Sequence, residues 1–142
     1  MNRDRKYRAY VKSEGCMADV QLIDFKDKYI ITEQDFTQDE EGCDPRVQFN
    51  FDDISICEFT GLKDKNGACI YLGDIVHIFH WQEEPKYGRH IQGVVFQHES
   101  GVYQLDDKNS TRMWSYLEEE REVIGNVYEN PELLTQESND RR

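Results

Sequence analysis

Four histidines and four cysteines are the side chains here best suited to chemistry: His77, His80, His90 and His98, and Cys16, Cys43, Cys57 and Cys69. A zinc site needs three or four converging nitrogen or sulfur ligands. No two cysteines form a C-x-x-C pair, so neither a zinc ribbon nor a redox motif is present. His77 and His80 stand three apart in the run Ile75 to Trp81. A helix would put them on one face, but the run reads as a strand, where odd spacing sends them to opposite faces. His90 and His98 have even spacing but stand at the two ends of one strand, roughly 27 Å apart at the rise of a strand. Spacing along the chain predicts no metal site.

Catalytic groups are equally scarce. A nucleophilic Cys or Ser needs a base beside it. Cys57 and Cys69 are near His77 and His80 in sequence, which is not nearness in space. No nucleophile elbow, phosphate loop or zincin motif occurs. The chain has 29 acidic residues, so choosing any two as an acid–base pair would be arbitrary. Asp64-Lys65-Asn66-Gly67 is like a fragment of a calcium loop. It lacks the acidic positions before it and the bidentate Glu after it. It reads instead as a hairpin turn, with Asn66-Gly67 as the φ > 0 pair of a type I′ turn. The expectation is a chain with no catalytic residues, no metal and no cofactor, and so not an enzyme.

The elements that would position these groups are short and mostly extended. Tyr7, Ala9 and Val11 alternate with Arg8 and Tyr10, the period of a strand. Val20 to Phe25 and Tyr29 to Thr32 are two more apolar runs, with Lys26-Asp27-Lys28 as the hairpin loop between them. Gln38 to Pro45 is acidic, without apolar periodicity, and reads as an exposed loop. Val47, Phe49 and Phe51 resume alternation, and Asp52-Asp53 suits a short turn. Gly61 to Gly67 is loop chemistry; Cys69 to Leu72 is a strand; Gly73-Asp74 breaks it. Ile75 to Trp81 is apolar on both faces, as in a strand of a small closed barrel. Gln82 to Arg89 reads as a polar loop. His90 to Gln97 and Val102 to Leu105 are strands joined tightly by Glu99-Ser100-Gly101. Trp114, Tyr116 and Leu117 suit a short strand or turn, Glu118 to Glu120 is a solvated charge run, and Glu122 to Val127 is a last strand. Asn130-Pro131-Glu132 opens a short helix, with Asn130 as its N-cap. The residues 135–142 form a polar tail.

The chain of 142 residues has the length of one domain. Many short strands with glycine turns point to a mainly β fold. The expected architecture is an N-terminal β part over residues 1–59, then a small barrel over 60–134 closed by the short C-terminal helix. Net charge is −12 and the pI about 4.7. Nucleic-acid affinity rests on Lys and Arg neutralising phosphates, so a chain this acidic is poorly suited to nucleic acid, and no nucleic-acid partner is expected. It suits basic protein partners instead. Arg3, Arg5, Lys6, Arg8 and Lys12 are the one basic cluster; pairing with the acidic loop around Glu40 competes with phosphate binding there. No apolar run of about 18 residues exists, so no membrane span is expected. No apolar signal segment precedes Cys16, and the expected setting is the cytoplasm with reduced thiols.

Three stretches resemble one family. Thr60 to Gly67, with Ile70-Tyr71 and Gly73-Asp74-Ile75-Val76, is similar to the central motif of the YopX family of phage and prophage proteins. Val123 to Leu134 is similar to that family's closing motif. Lys6-Tyr7-Arg8-Ala9-Tyr10 with Met17 resembles its opening strand, with Tyr7 where the family usually has Phe and Tyr10 where it usually has Trp. Asp35 to Asp44 and Gln82 to Arg89 match nothing in it. The resemblance implies an SH3-like barrel for the central part and an origin in a mobile element. It implies no biochemical activity.

One surface remains. Tyr71, Asp74 and Trp81 fall near one end of the expected barrel, where related barrels bind ligands. The competing assignment makes Tyr71 and Trp81 core aromatics and Asp74 a turn cap, since large aromatics are mostly buried. The functional expectation is a non-catalytic protein-binding module. Its alternatives are a nucleic-acid module using the basic N-terminal strand, and an enzyme whose site follows no known motif. Exposed edge strands around an incomplete barrel would favour self-association.

Overall fold

A computed structural model describes residues 6–32, 47–106 and 118–134. The acidic stretch Gln38 to Pro45, Trp114 to Leu117, the polar tail, Arg3, Arg5 and Cys43 lie outside the described residues. The fold is mainly β. Among the described residues the strands are β1 (Tyr7–Val11), β2 (Cys16–Asp24), β3 (Tyr29–Thr32), β4 (Val47–Asn50), β5 (Ile54–Lys63), β6 (Cys69–Tyr71), β7 (Asp74–Glu83), β8 (Lys86–Gln97), β9 (Tyr103–Asp106) and β10 (Arg121–Asn126). Helix among the described residues is limited to single 3-10 turns at Phe51–Asp53, Glu118–Glu120 and Pro131–Leu134.

The chain divides into two compact units, residues 1–59 and 60–142, and β5 crosses the division. In the first unit β1 lies between β2 and β5, antiparallel to both, and β3 and β4 continue the sheet outward. The alternation at Tyr7, Ala9 and Val11 has its physical cause here. Ala9 and Val11 turn inward and are fully buried with Ala18, Ile30 and Ile54. Asp24 closes the β2–β3 turn, its Oδ1 accepting the N–H groups of Lys26 and Asp27.

The second unit carries a four-stranded antiparallel sheet in the order β10-β7-β8-β9, while β6 pairs beside β5. Ile70, Val76, Ile78, Ile91, Val95 and Leu105 form its core. Several expectations are corrected here. Both sheets are open: the four-stranded sheet ends at β10 and β9, and no pairing among the described residues joins those edges into a closed SH3-like barrel. The apolar run that suggested closure is buried on both faces only at its start. Ile75, Val76 and Ile78 are buried, but Phe79 and Trp81 are 42% and 47% exposed.

Gln82 to Arg89 is not a loop. β7 and β8 pair continuously from Ile75↔Val94 to Glu83↔Lys86, leaving Glu84-Pro85, joined by a cis peptide bond, as a two-residue turn. Proline belongs in such a turn when it is cis at the third position. The C-terminal helix is also smaller than expected, a four-residue 3-10 turn. Its Asn130 side chain does not wait as an N-cap. It reaches back to accept the N–H of Asn126 at 3.1 Å.

Candidate functional site

Antiparallel register decides which side chains of the β7–β8 hairpin share a face. Residues directly opposite each other point to the same side, and every second residue repeats it. His77 faces Gln92, Phe79 faces His90, Trp81 faces Gly88 and Glu83 faces Lys86. These form one face. Ile78 and Ile91 belong to the other, where they enter the core.

On the outward face the rings form a continuous strip. Nε2 of His77 and Nδ1 of His90 lie 3.0 Å apart, one donating to the other. The Phe79 ring is tilted against His90 with centroids 4.7 Å apart. Gly88 leaves space for Phe79 and Trp81: a Cβ there would come within 3.0 Å of the first ring and 3.4 Å of the second. Trp81 Nε1 donates to Glu83 Oε2 at 2.9 Å, which orients the indole toward the hairpin tip. Tyr87, half exposed, adds an aromatic on the opposite face near the same tip. His80, facing the other way, bonds through Nδ1 to Glu120 Oε2 at 2.8 Å, and His98 bonds to Ser100 within its own turn.

Of the three residues singled out from sequence, Tyr71 and Asp74 are brought together and Trp81 is apart from them. Tyr71 is 8% and Asp74 1% exposed. Asp74 Oδ2 accepts the Tyr71 N–H at 2.8 Å, closing the turn between β6 and β7. Trp81 stands seven residues further along β7, roughly 23 Å away at the rise of a strand. Of the three, Trp81 alone is a surface group. The pairing of His77 with His90 was not visible in chain spacing. It needed the hairpin register, which depends on recognising Glu84-Pro85 as a turn.

Two other polar clusters are built into turns. Asp64 is buried between the β5–β6 turn and β10. Its Oδ1 accepts the N–H groups of Asn66 and Ala68, and its Oδ2 that of Val123, each at 2.9 Å. Burial alone would raise its pKa, but the three backbone donors, with Lys65 nearby, outweigh that and hold the carboxyl below its ordinary range. Asn126 organises the chain after β10. Its Oδ1 accepts the N–H groups of Tyr128 and Glu129, and its Nδ2 donates to Glu129 Oε1 at 3.0 Å. Among the described residues no group of three or more His, Cys, Asp or Glu side chains converges as a metal cage. No helix among them is long and apolar enough to cross a membrane.

Comparison with known proteins places these motifs. The family model described as YopX protein matches residues 6–135. The chain belongs to the YopX family. No curated protein matches it. Among solved structures it is similar to the crystal structure of protein EF1440 from Enterococcus faecalis, at 25% identity and a TM-score of 0.56. That likeness covers 94% of this chain and 99% of the other. In this YopX-family chain the central and closing stretches have structural duties. Thr60 Oγ1 donates to Ile70 O at 2.7 Å, Asp64 staples a turn to β10, Asp74 closes the next turn, and Asn126 with Asn130 folds the chain end. The outward strip of β7–β8 includes residues with no such duty.

Proposed function

We propose that this YopX-family chain is a non-catalytic protein-binding module of phage or prophage type, that the aromatic face of the β7–β8 hairpin is its contact surface, and that its partner is basic. The observation that carries the reading is Trp81, half exposed yet held by a hydrogen bond on a continuously paired ribbon. A large aromatic fixed in place before binding loses little conformational entropy on contact, which is why Trp and Tyr dominate interface energetics. Phe79 beside it enlarges the patch beyond the single exposed apolar residues common on any surface. The net charge of −12 favours a cationic counterpart; at the tip Lys86 stands opposite Glu83, so the attraction comes from the whole chain's charge. Arg is the side chain that best combines charge with stacking on aromatic faces.

The test is retention of host-lysate proteins on the immobilised chain at low and high salt, with the Phe79→Ala/Trp81→Ala double variant in parallel. The expected result is a basic protein held at low salt, released at about 0.5 M salt where surface charges are screened, and not held by the variant. Equal retention by the variant rejects the hairpin as the surface, and no retention at any salt rejects the module.

A further inference from the structure

The same hairpin face carries a second arrangement, independent of the partner reading. His77 on β7 and His90 on β8 are diagonal neighbours, since His90 is opposite Phe79 and His77 opposite Gln92. Their ring centroids are 5.2 Å apart, and a nitrogen of each ring faces the other across 3.0 Å. The Phe79 ring lies beside His90, with centroids 4.7 Å apart, and ion binding requires both imidazoles to rotate from their head-on hydrogen bond.

We propose that His77 Nε2 and His90 Nδ1 form a two-imidazole site for a borderline divalent transition-metal ion, with Cu(II) bound most tightly, then Ni(II), then Zn(II). The spacing supplies the argument. Two metal–nitrogen bonds of about 2.0–2.1 Å spanning the observed 3.0 Å enclose roughly 95°. That is close to the angle between neighbouring positions in a square-planar or octahedral complex, the geometry of Cu(II) and Ni(II). A tetrahedral ion would need the nitrogens about 3.3 Å apart at the same bond length, so Zn(II) requires the pair to spread. The general affinity order of the divalent series puts Cu(II) above both other ions, and the angle alone ranks Ni(II) above Zn(II). Hard ions such as Mg(II) and Ca(II) prefer oxygen donors and are excluded.

In the metal-free pair one ring nitrogen donates its proton to the other. The ion takes that proton's place: both lone pairs turn to the metal, and the proton moves to the other nitrogen of its ring or to solvent. Water fills remaining positions from the side of His90, which is exposed, while His77 is half-buried. Acid competes for the same lone pairs, so affinity falls on acidification. Chain spacing compares neighbours along the chain, whereas these are neighbours across strands; the requirement for three or four protein ligands still separates this pair from a structural zinc site, since among the described residues no third His, Cys, Asp or Glu converges on it.

Calorimetric titration of tag-free full-length protein with CuCl2, NiCl2 and ZnCl2 in a non-chelating buffer tests the site. One ion per chain is expected, in the order copper, nickel, zinc. His77→Gln and His90→Gln should each weaken nickel binding about tenfold or more, since losing even an outer-shell partner of a ligand costs 10–100-fold. His98→Gln should leave it unchanged. Zinc should shift the imidazole nitrogen resonances of His77 and His90 in the wild-type protein, a readout that survives a variant that fails to fold. No binding of any of the three ions, nickel binding indifferent to both substitutions, or zinc shifts confined to other histidines would overturn the proposal. Failure here leaves the partner reading intact, because that reading rests on Phe79 and Trp81.

Discussion

Asp64 shows how much one carboxylate can hold. Three backbone N–H groups from two separate segments converge on its two oxygens. Asp64→Asn keeps one acceptor oxygen but turns an amide donor toward one of those N–H groups. Hydrogen bonds to charged groups are worth about 1.5–3 kcal/mol, and stranding a buried donor costs a similar amount. A loss of about 2–4 kcal/mol is expected at neutral pH, measured by urea unfolding. The pH dependence has a definite sign. The folded pKa lies below its ordinary 3.8, so the stabilisation is complete above that value and disappears as pH falls through the folded one. The gap between wild type and variant should therefore close below about pH 4. A gap that persists unchanged at pH 2 would show that the charge is not what stabilises the turn.

Turn chemistry decided which elements could be read directly. Glu99-Ser100-Gly101 and Lys26-Asp27-Lys28 mark hairpin turns in sequence and in structure, because Gly and Asp have local reasons to be there. Asn66-Gly67 signalled a turn correctly but not its type. Gly67 is left-handed at φ +83°, whereas Asn66 is not, and Gly67 N–H donates to Asp64 O. That is a type I turn ending in a left-handed glycine, chosen because Asp64 stands at its first position. Glu84-Pro85 misled the reading, since proline most often ends a strand and here sits in the turn itself. Strand periodicity was legible wherever one face was buried, as at Ala9 and Val11. The outward strip was not, because Phe79 and Trp81 look like core residues until the register exposes them.

The chain after β10 offers a test at the same scale. A Cβ on Gly125 would fall 2.5 Å from Asn130 Oδ1, the atom that accepts the Asn126 N–H. Moving Asn130 aside breaks that bond, and with it the tether before Pro131–Leu134, whose Leu133 O accepts Gln92 Nε2 at 3.0 Å. Gly125→Ala is expected to cost about 1–3 kcal/mol. It should also raise amide exchange at Asn126 selectively. A thermal midpoint equal to wild type would mean the turn re-forms around the methyl group without loss.

At the scale of the whole molecule, charge separates the remaining readings. A nucleic-acid module and a protein-binding module can share a β fold, but a negative whole-molecule field opposes the first and favours a basic partner for the second. Two members of the basic cluster on the N-terminal strand already have intramolecular contacts: Lys6 lies over the Phe59 ring at 5.4 Å, and Lys12 donates to Asp52 O at 3.3 Å. Against a net charge of −12, each phosphate approached adds repulsion over about 10 Å at 0.1 M salt and further at lower salt. Lowering the salt strengthens binding for a protein that neutralises phosphates and weakens it for one that repels them. Fluorescence anisotropy with labelled single-stranded and duplex DNA should therefore show no binding, and none should emerge as salt is reduced to about 20 mM. A basic partner peptide should behave oppositely, tightening as salt falls and losing affinity with Trp81→Ala at every salt concentration. DNA binding that rises steeply at low salt would overturn the protein-binding reading and return the N-terminal strand to the centre of the function.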